Sequence, residues 1–182
     1  MFVARKLRES NVAEYLLYMW RTEDLLRAFG FDFDRFRREY LSQFSSLTEQ
    51  QKEEQEKWYA ELIDMMHRER VTAMGHLQIC RNVIINLEEL HERLMKSTKF
   101  PYYRQAYLSA LPIIVELRQK NGQFGQPELE TCFNALYGVM LLRLQQKPVT
   151  PETEQALKTI STFVGMLSDY YKKDKEEPLD LD

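Results

Sequence analysis

Glu130–Leu144 reads ETCFNALYGVMLLRL, the one segment of the chain that is apolar on nearly every side at helical length. A helix of that kind sits inside a bundle, and its neighbours lay their apolar stripes against it. The expectation that follows is an all-α protein: an antiparallel helical bundle of six or seven helices. It would form a single domain over residues 1–171, with a charged, flexible C-terminal tail at 172–182.

Composition supports that reading. The chain has 182 residues, 44% hydrophobic and 29% charged, ordinary values for one globular domain with a real core. Six Gly and six Pro fall mainly at segment ends, which favours long helices with short connections over many strands. A net charge of −3 gives no general attraction to nucleic acid. Cys80 and Cys132 stand far apart and outside any CxxC pair, so they read as buried free thiols in a reducing compartment. Phe2-Val3-Ala4 gives way to Arg5, Lys6 and Arg8 with no apolar stretch before a cleavage site, unlike a signal peptide. The longest apolar runs carry Glu14 or Asn134. They fall short of the roughly 20 residues that span a membrane. A cytoplasmic protein without membrane attachment is expected.

In chain order, residues 1–9 form a short basic lead-in. Ser10 or Asn11 can cap the first helix, which runs to about Phe29 and stops at Gly30. Val12, Leu16, Met19 and Leu26 make its stripe, widened by Ala13, Tyr15 and Trp20. Glu23 falls on that stripe and needs a partner, because an unpaired buried carboxylate is costly. Asp32 or Asp34 then caps a short helix to about Phe44, with Phe33, Phe36 and Tyr40 on one face. Arg35, Arg37 and Arg38 lie mostly off it, and basic residues among aromatics can mean nucleic acid. Here the helical spacing and the neutralising Asp32, Asp34 and Glu39 favour a core face, and no nucleic acid is expected.

Thr48 with Gln51 makes a capping box for the third helix. Its opening, EQQKEEQEK, has no apolar residue and should protrude or lie on the surface. Val71, Thr72 and Gly75 weaken the helical pattern and place a tight turn, the alternative being one continuous helix. The fourth helix then runs from about Met74 to Lys96. Pro101 opens a fifth, and Pro112 inside it should kink or break it near Ser109. Pro127 opens the sixth helix, and Thr150 with Pro151 opens the seventh.

Glu88-x-x-His91 has the ExxH spacing of di-iron bundles, and Asp64-x-x-His67 is a near-partner. A turn near residue 72 offsets the two by about 20 Å along the hairpin, too far for a shared site. Glu88 and His91 could still hold a metal with Glu23 or Glu116. His76, beside the turn with His67 and one turn before Cys80, is a weaker metal candidate. No nucleophile elbow, Walker loop or dinucleotide fingerprint is present, so no catalytic residue and no cofactor are expected. Glu23 should be satisfied inside the bundle by Arg143 or by an Asn of the fourth helix. The alternative use of Glu23, Arg143 and Asn134 is the polar floor of a ligand pocket lined by Tyr15, Tyr18, Trp20, Tyr107 and Tyr137.

Three stretches together resemble a known family: Ala13–Trp20 with Glu23-Asp24, then Gly75-His76-Leu77-Gln78, then Cys132–Gly138. The family is a bacterial one catalogued as domain of unknown function four-nine-two-four. The similarity covers nearly the whole chain and lies in segment texture, not in a catalytic motif. It implies a stand-alone helical bacterial protein and brings no activity, cofactor or catalytic residue. It draws attention to Glu14, Glu23, His76, Gln78 and Asn134 without giving them roles.

The lack of a catalytic signature and the surplus of Tyr, Phe and Met favour a non-enzymatic helical interaction protein. Its partner would be a second copy or another protein. The alternative is a small-molecule- or metal-binding bundle, and with it an enzyme, resting on Glu23 and the ExxH. A nucleic-acid binder would need the Arg35, Arg37 and Arg38 face extended by Arg5, Lys6 and Arg8.

Overall fold

Capping residues in the sequence become helix starts in the structure, a computed structural model that describes residues 2–122 and 124–181. Among those residues there are eight α-helices, one short 3-10 turn and no strand. The helices are α1 (Phe2–Ser10), α2 (Val12–Ala28), α3 (Phe33–Glu39), α4 (Glu49–Arg68), α5 (Gln78–Lys96), α6 (Pro101–Lys120), α7 (Glu128–Leu144) and α8 (Pro151–Glu176), with the 3-10 turn at Leu41–Gln43. The Asp32 side chain accepts from Arg35 N at 2.9 Å and starts α3. Thr48 and Gln51 form the full reciprocal box of α4, and Thr150 accepts from Thr153 N at the start of α8. Gly30, at φ 63°, takes the left-handed conformation that ends α2.

The all-α expectation holds, with eight helices where six or seven were expected. The extra one is α1: the basic lead-in is itself helical, with Ala4 buried under it. Pro112 does not break α6, which runs unbroken from Pro101 to Lys120. It sits on the exposed face, where the carbonyl it leaves without an N–H can meet water. The helix α5 starts at Gln78, later than the pattern suggested, for a reason that lies in α2 and is given below. The last helix reaches Glu176, inside the charged 172–182 stretch expected to be a tail, and Arg93 grips Asp174 there through two hydrogen bonds of 2.8 and 3.1 Å. Gln55, in the apolar-free opening of α4, is buried at 1% exposure instead of facing solvent.

The contacts of the chain fall into two compact units. The first holds residues up to Ser10 and Glu14–Asn82; the second holds Asn11–Ala13 and the chain from Val83 onward. The boundary lies within α5. In the first unit, Leu16, Met19 and Leu26 of α2 are buried, as are Phe36 of α3 and Tyr59, Leu62 and Met66 of α4. Phe36 meets Tyr59 edge-on at 4.8 Å and Phe29 at 5.2 Å, the preferred aromatic geometry. In the second unit, α6, α7 and α8 pack on one another. Their core is Tyr103, Ile114, Cys132, Phe133, Phe163 and Leu167, joined by Leu87, Leu90 and Leu94 of α5. Ser168 accepts from Ala13 N at 3.3 Å and donates to Asn11 at 2.9 Å.

The segment that decided the fold is less enclosed than its sequence suggests. Leu129, Cys132, Phe133, Tyr137 and Val139 of α7 are buried, but Gly138 and Leu144 are exposed, Leu144 at 54%. One flank of an almost wholly apolar helix is left open.

Candidate functional site

Glu23 is the most deeply buried charged side chain of the first unit, at 0% exposure. The connection between α4 and α5 wraps over it. Its Oε1 accepts from Leu77 N at 3.0 Å and from Cys80 Sγ at 3.5 Å. Its Oε2 lies 2.6 Å from His76 Nδ1 and 3.9 Å from Arg27 Nη2. The His76 ring stacks on Trp20, with centroids 4.0 Å apart and planes at 10°. Arg27 donates to the Val71 carbonyl at 2.9 Å, to the Gly75 carbonyl, and to Asp24 at 2.6 Å. Two carboxylates start α5 from a distance: Glu23 takes the N–H of Leu77, and Glu69 takes that of Gln78 at 2.6 Å. The first N–H groups of a helix lack intrahelical partners and attract negative charge. That explains why α5 begins where it does.

Chemically the arrangement is a saturated acceptor. Both Glu23 oxygens are engaged by protein donors, and Nδ1–H is the imidazole donor that fits an acceptor already receiving Leu77 N–H. The opposite nitrogen, Nε2, lies on a side chain that is 27% exposed. Burial, then the neighbouring Glu23, pushes the Cys80 thiol well up, so it stays protonated and unreactive.

The other residues singled out in the sequence go elsewhere. Arg143 is not the partner of Glu23: it is exposed and pairs with Glu154 at 2.6 Å. Neither Asn of α5 is its partner: Asn82 receives the Gln78 side chain at 2.7 Å, and both Asn82 and Asn86 are exposed. Tyr15 is buried in the first unit near Cys80 and Glu23, with its phenol pushed up by burial. Tyr18 bonds to Tyr59 within the same unit. Tyr137 is buried in the second unit, at 9% exposure. His91 accepts or donates at 2.6 Å with the Tyr103 hydroxyl and lies against Tyr107 and Phe163. Burial holds its pKa below the usual histidine value. Glu88 is raised by burial and by Glu130. His67 bonds to the Ile63 carbonyl and packs on Phe31, apart from the His76 niche. Among the described residues no group of three or more His, Cys, Asp or Glu is placed to hold a metal ion. Arg35 and Arg37 are tied to Glu39 and to Asp34.

Asn134 lies on the open flank of α7, in a hollow of about 550 Å³. Ile113 and Leu117 of α6, Ala135, Gly138 and Leu142 of α7 and Ala156 of α8 form its apolar walls. A Cβ added to Gly138 would meet nothing within 4 Å, so the missing side chain is part of the opening. A second hollow, of about 430 Å³, lies between α6 and α8, from Tyr102 on α6 to Met166 on α8. The sequence signal for this furrow was the small pair Ala135 and Gly138, one turn apart within an otherwise bulky apolar run.

Fold and site define an all-α protein with a capped buried carboxylate in one unit and an open apolar furrow in the other. The chain belongs to the family described as Domain of unknown function (DUF4924), whose model matches residues 1–178. No curated protein and no solved structure matches the chain. No helix among the described residues is long and apolar enough to cross a membrane.

Proposed function

We propose that this is a non-enzymatic helical interaction protein that receives an amphipathic helix of a protein partner in the α6–α7–α8 furrow. The observation that carries the reading is the open flank of α7: a helix apolar on nearly every side keeps one side uncovered, beside a hollow of about 550 Å³. Apolar surface of that kind is stabilised by association. The two hollows follow α6 from Tyr102 to Lys120, about 27 Å at 1.5 Å per residue. That length suits a helix laid in a groove more than a compact ligand. The saturated Glu23 niche favours a structural role for that carboxylate over the ligand-site alternative, because neither oxygen is left to recognise a guest.

The test places a photo-crosslinking amino acid at Asn134 and, as a control, at the exposed Glu53 of α4. The expected result is an adduct from position 134 alone. Mass spectrometry should map it to a segment with apolar residues at i, i+3 or i+4, and i+7. Gly138→Trp, which fills the furrow, should abolish the adduct and leave the circular dichroism spectrum unchanged. Equal adducts from both positions, or an adduct insensitive to Gly138→Trp, would sink the reading.

A further inference from the structure

The chain carries its own candidate for the furrow. On the solvent face of α6, Leu108 is 55% exposed and Val115 is 42% exposed. Pro112 is exposed between them. Leu108, Pro112 and Val115 stand at i, i+4 and i+7, the anchor spacing of a helix that docks in a groove. From Gln105 to Val115 the sequence QAYLSALPIIV contains no charged residue. Ala110 and Ile114 of this stretch are buried in the core, but the face that carries Leu108, Pro112 and Val115 is exposed and bears no charge.

Size and charge match. The stripe covers about 10 Å of helix axis, and the α7 wall from Asn134 to Leu142 covers about 12 Å. The charged groups at the furrow are Glu116 and Lys120, which neutralise each other at 2.5 Å, with Glu152 in the first hollow and Lys158 in the second. A neutral stripe therefore enters a nearly neutral furrow without stranding a charge.

A polar match accompanies the apolar one. Pro112 has no N–H to give to the Leu108 carbonyl, its i−4 partner, so the stripe carries an acceptor with spare capacity. The furrow wall carries Asn134, whose side-chain amide has no hydrogen-bond partner among the described residues. An amide donor in the groove and an open carbonyl on the stripe are complementary groups.

Resting on the reading of the furrow as a helix receptor, we infer that its occupant is α6 of a second copy of this chain. The Leu108–Pro112–Val115 stripe of each protomer would enter the furrow of the other, with Asn134 donating to the Leu108 carbonyl. Stripe and furrow share α6, with Val115 on one face and Glu116 next to it on the other. A two-fold pairing along α6 can therefore use both contacts at once, which gives a closed dimer.

Sedimentation equilibrium on the full chain tests this, from about 1 µM to about 200 µM, the range that resolves micromolar dissociation constants. The wild type should be a dimer at the upper end. Leu108→Glu with Val115→Glu, Gly138→Trp and Asn134→Ala should each weaken it by about tenfold or more. Each should keep the wild-type helical content; if the double-Glu variant does not, the other two carry the test. Mixing the stripe variant with the furrow variant should restore part of the dimer, because one intact stripe then meets one intact furrow. A wild type that stays monomeric throughout, a dimer that none of the variants weakens, or a mixture with no recovery would overturn the second-copy inference. A monomer whose position 134 still captures a foreign amphipathic helix would separate this failure from failure of the receptor reading.

Discussion

Glu23 shows what a buried carboxylate requires. Each carboxylate oxygen must find a donor in the protein, and the fold supplies Leu77 N–H and Cys80 S–H to one and His76 to the other. Glu23→Ala removes the cap and leaves a cavity, and should lower stability by about 3 kcal/mol in urea unfolding. Glu23→Gln should cost less, about 1–2 kcal/mol, because the amide oxygen can still accept from Leu77 while the NH₂ turns to His76. Equal losses from the two variants would show that the hydrogen bonds do not matter there. His91 supplies the pH dependence. Burial lowers its pKa below the ordinary 6.5, so between the two values the unfolded chain binds more protons than the folded one. Its contribution is therefore complete above about pH 6.5 and is lost as pH falls through that window toward the folded value. The wild type should lose stability from pH 7.5 to 5.5 more steeply than His91→Gln, as read from urea midpoints. Parallel curves would remove His91 as the cause.

At the scale of the element, local chemistry was legible where it acts within one turn. Thr48 and Gln51 exchange both bonds of the capping box that their spacing announces. Thr48→Ala should cost about 1 kcal/mol, measured as a lower denaturation midpoint, and Gln51→Ala should cost a part of that. No change in either would mean that α4 is held by packing alone. Pro112 is legible as a kink or a break and does not break α6, because helix continuity depends on where the freed carbonyl points, and exposure is a tertiary property. Gln55 was read as surface from its polar neighbours, yet the first unit closes over it. Helical periodicity ranks the faces of one helix against each other; it does not say how far a neighbouring helix reaches along them.

For the whole molecule, the position of α5 across both contact units has a consequence for cooperativity. Successive turns of one helix share i→i+4 hydrogen bonds, so weakening the first turn weakens the bonds that hold the next. With its distant cap removed, Glu23→Ala should raise hydrogen exchange not only at Leu77–Asn82 but also past Val83. A rise confined to the residues before Val83 would show that the two units respond independently along this helix.

The helical class, the helix starts at Thr48 and Thr150, and the apolar stripes were determined by the sequence alone, because caps and stripes are short-range facts of spacing and propensity; between Asp32 and Asp34 at α3 the structure chose Asp32. The family was recognisable in the same way, from Ala13–Trp20, Gly75–Gln78 and Cys132–Gly138, and its model spans residues 1–178. Tertiary structure decided the rest. Glu23 needed a partner by its place on a stripe, but its partners lie 53 to 57 residues away, and one of them is a backbone N–H, which any residue has to offer. The composition of α7 marked it as a core helix. How much of it is covered depends on how α6 and α8 pack against it, and no local pattern encodes that.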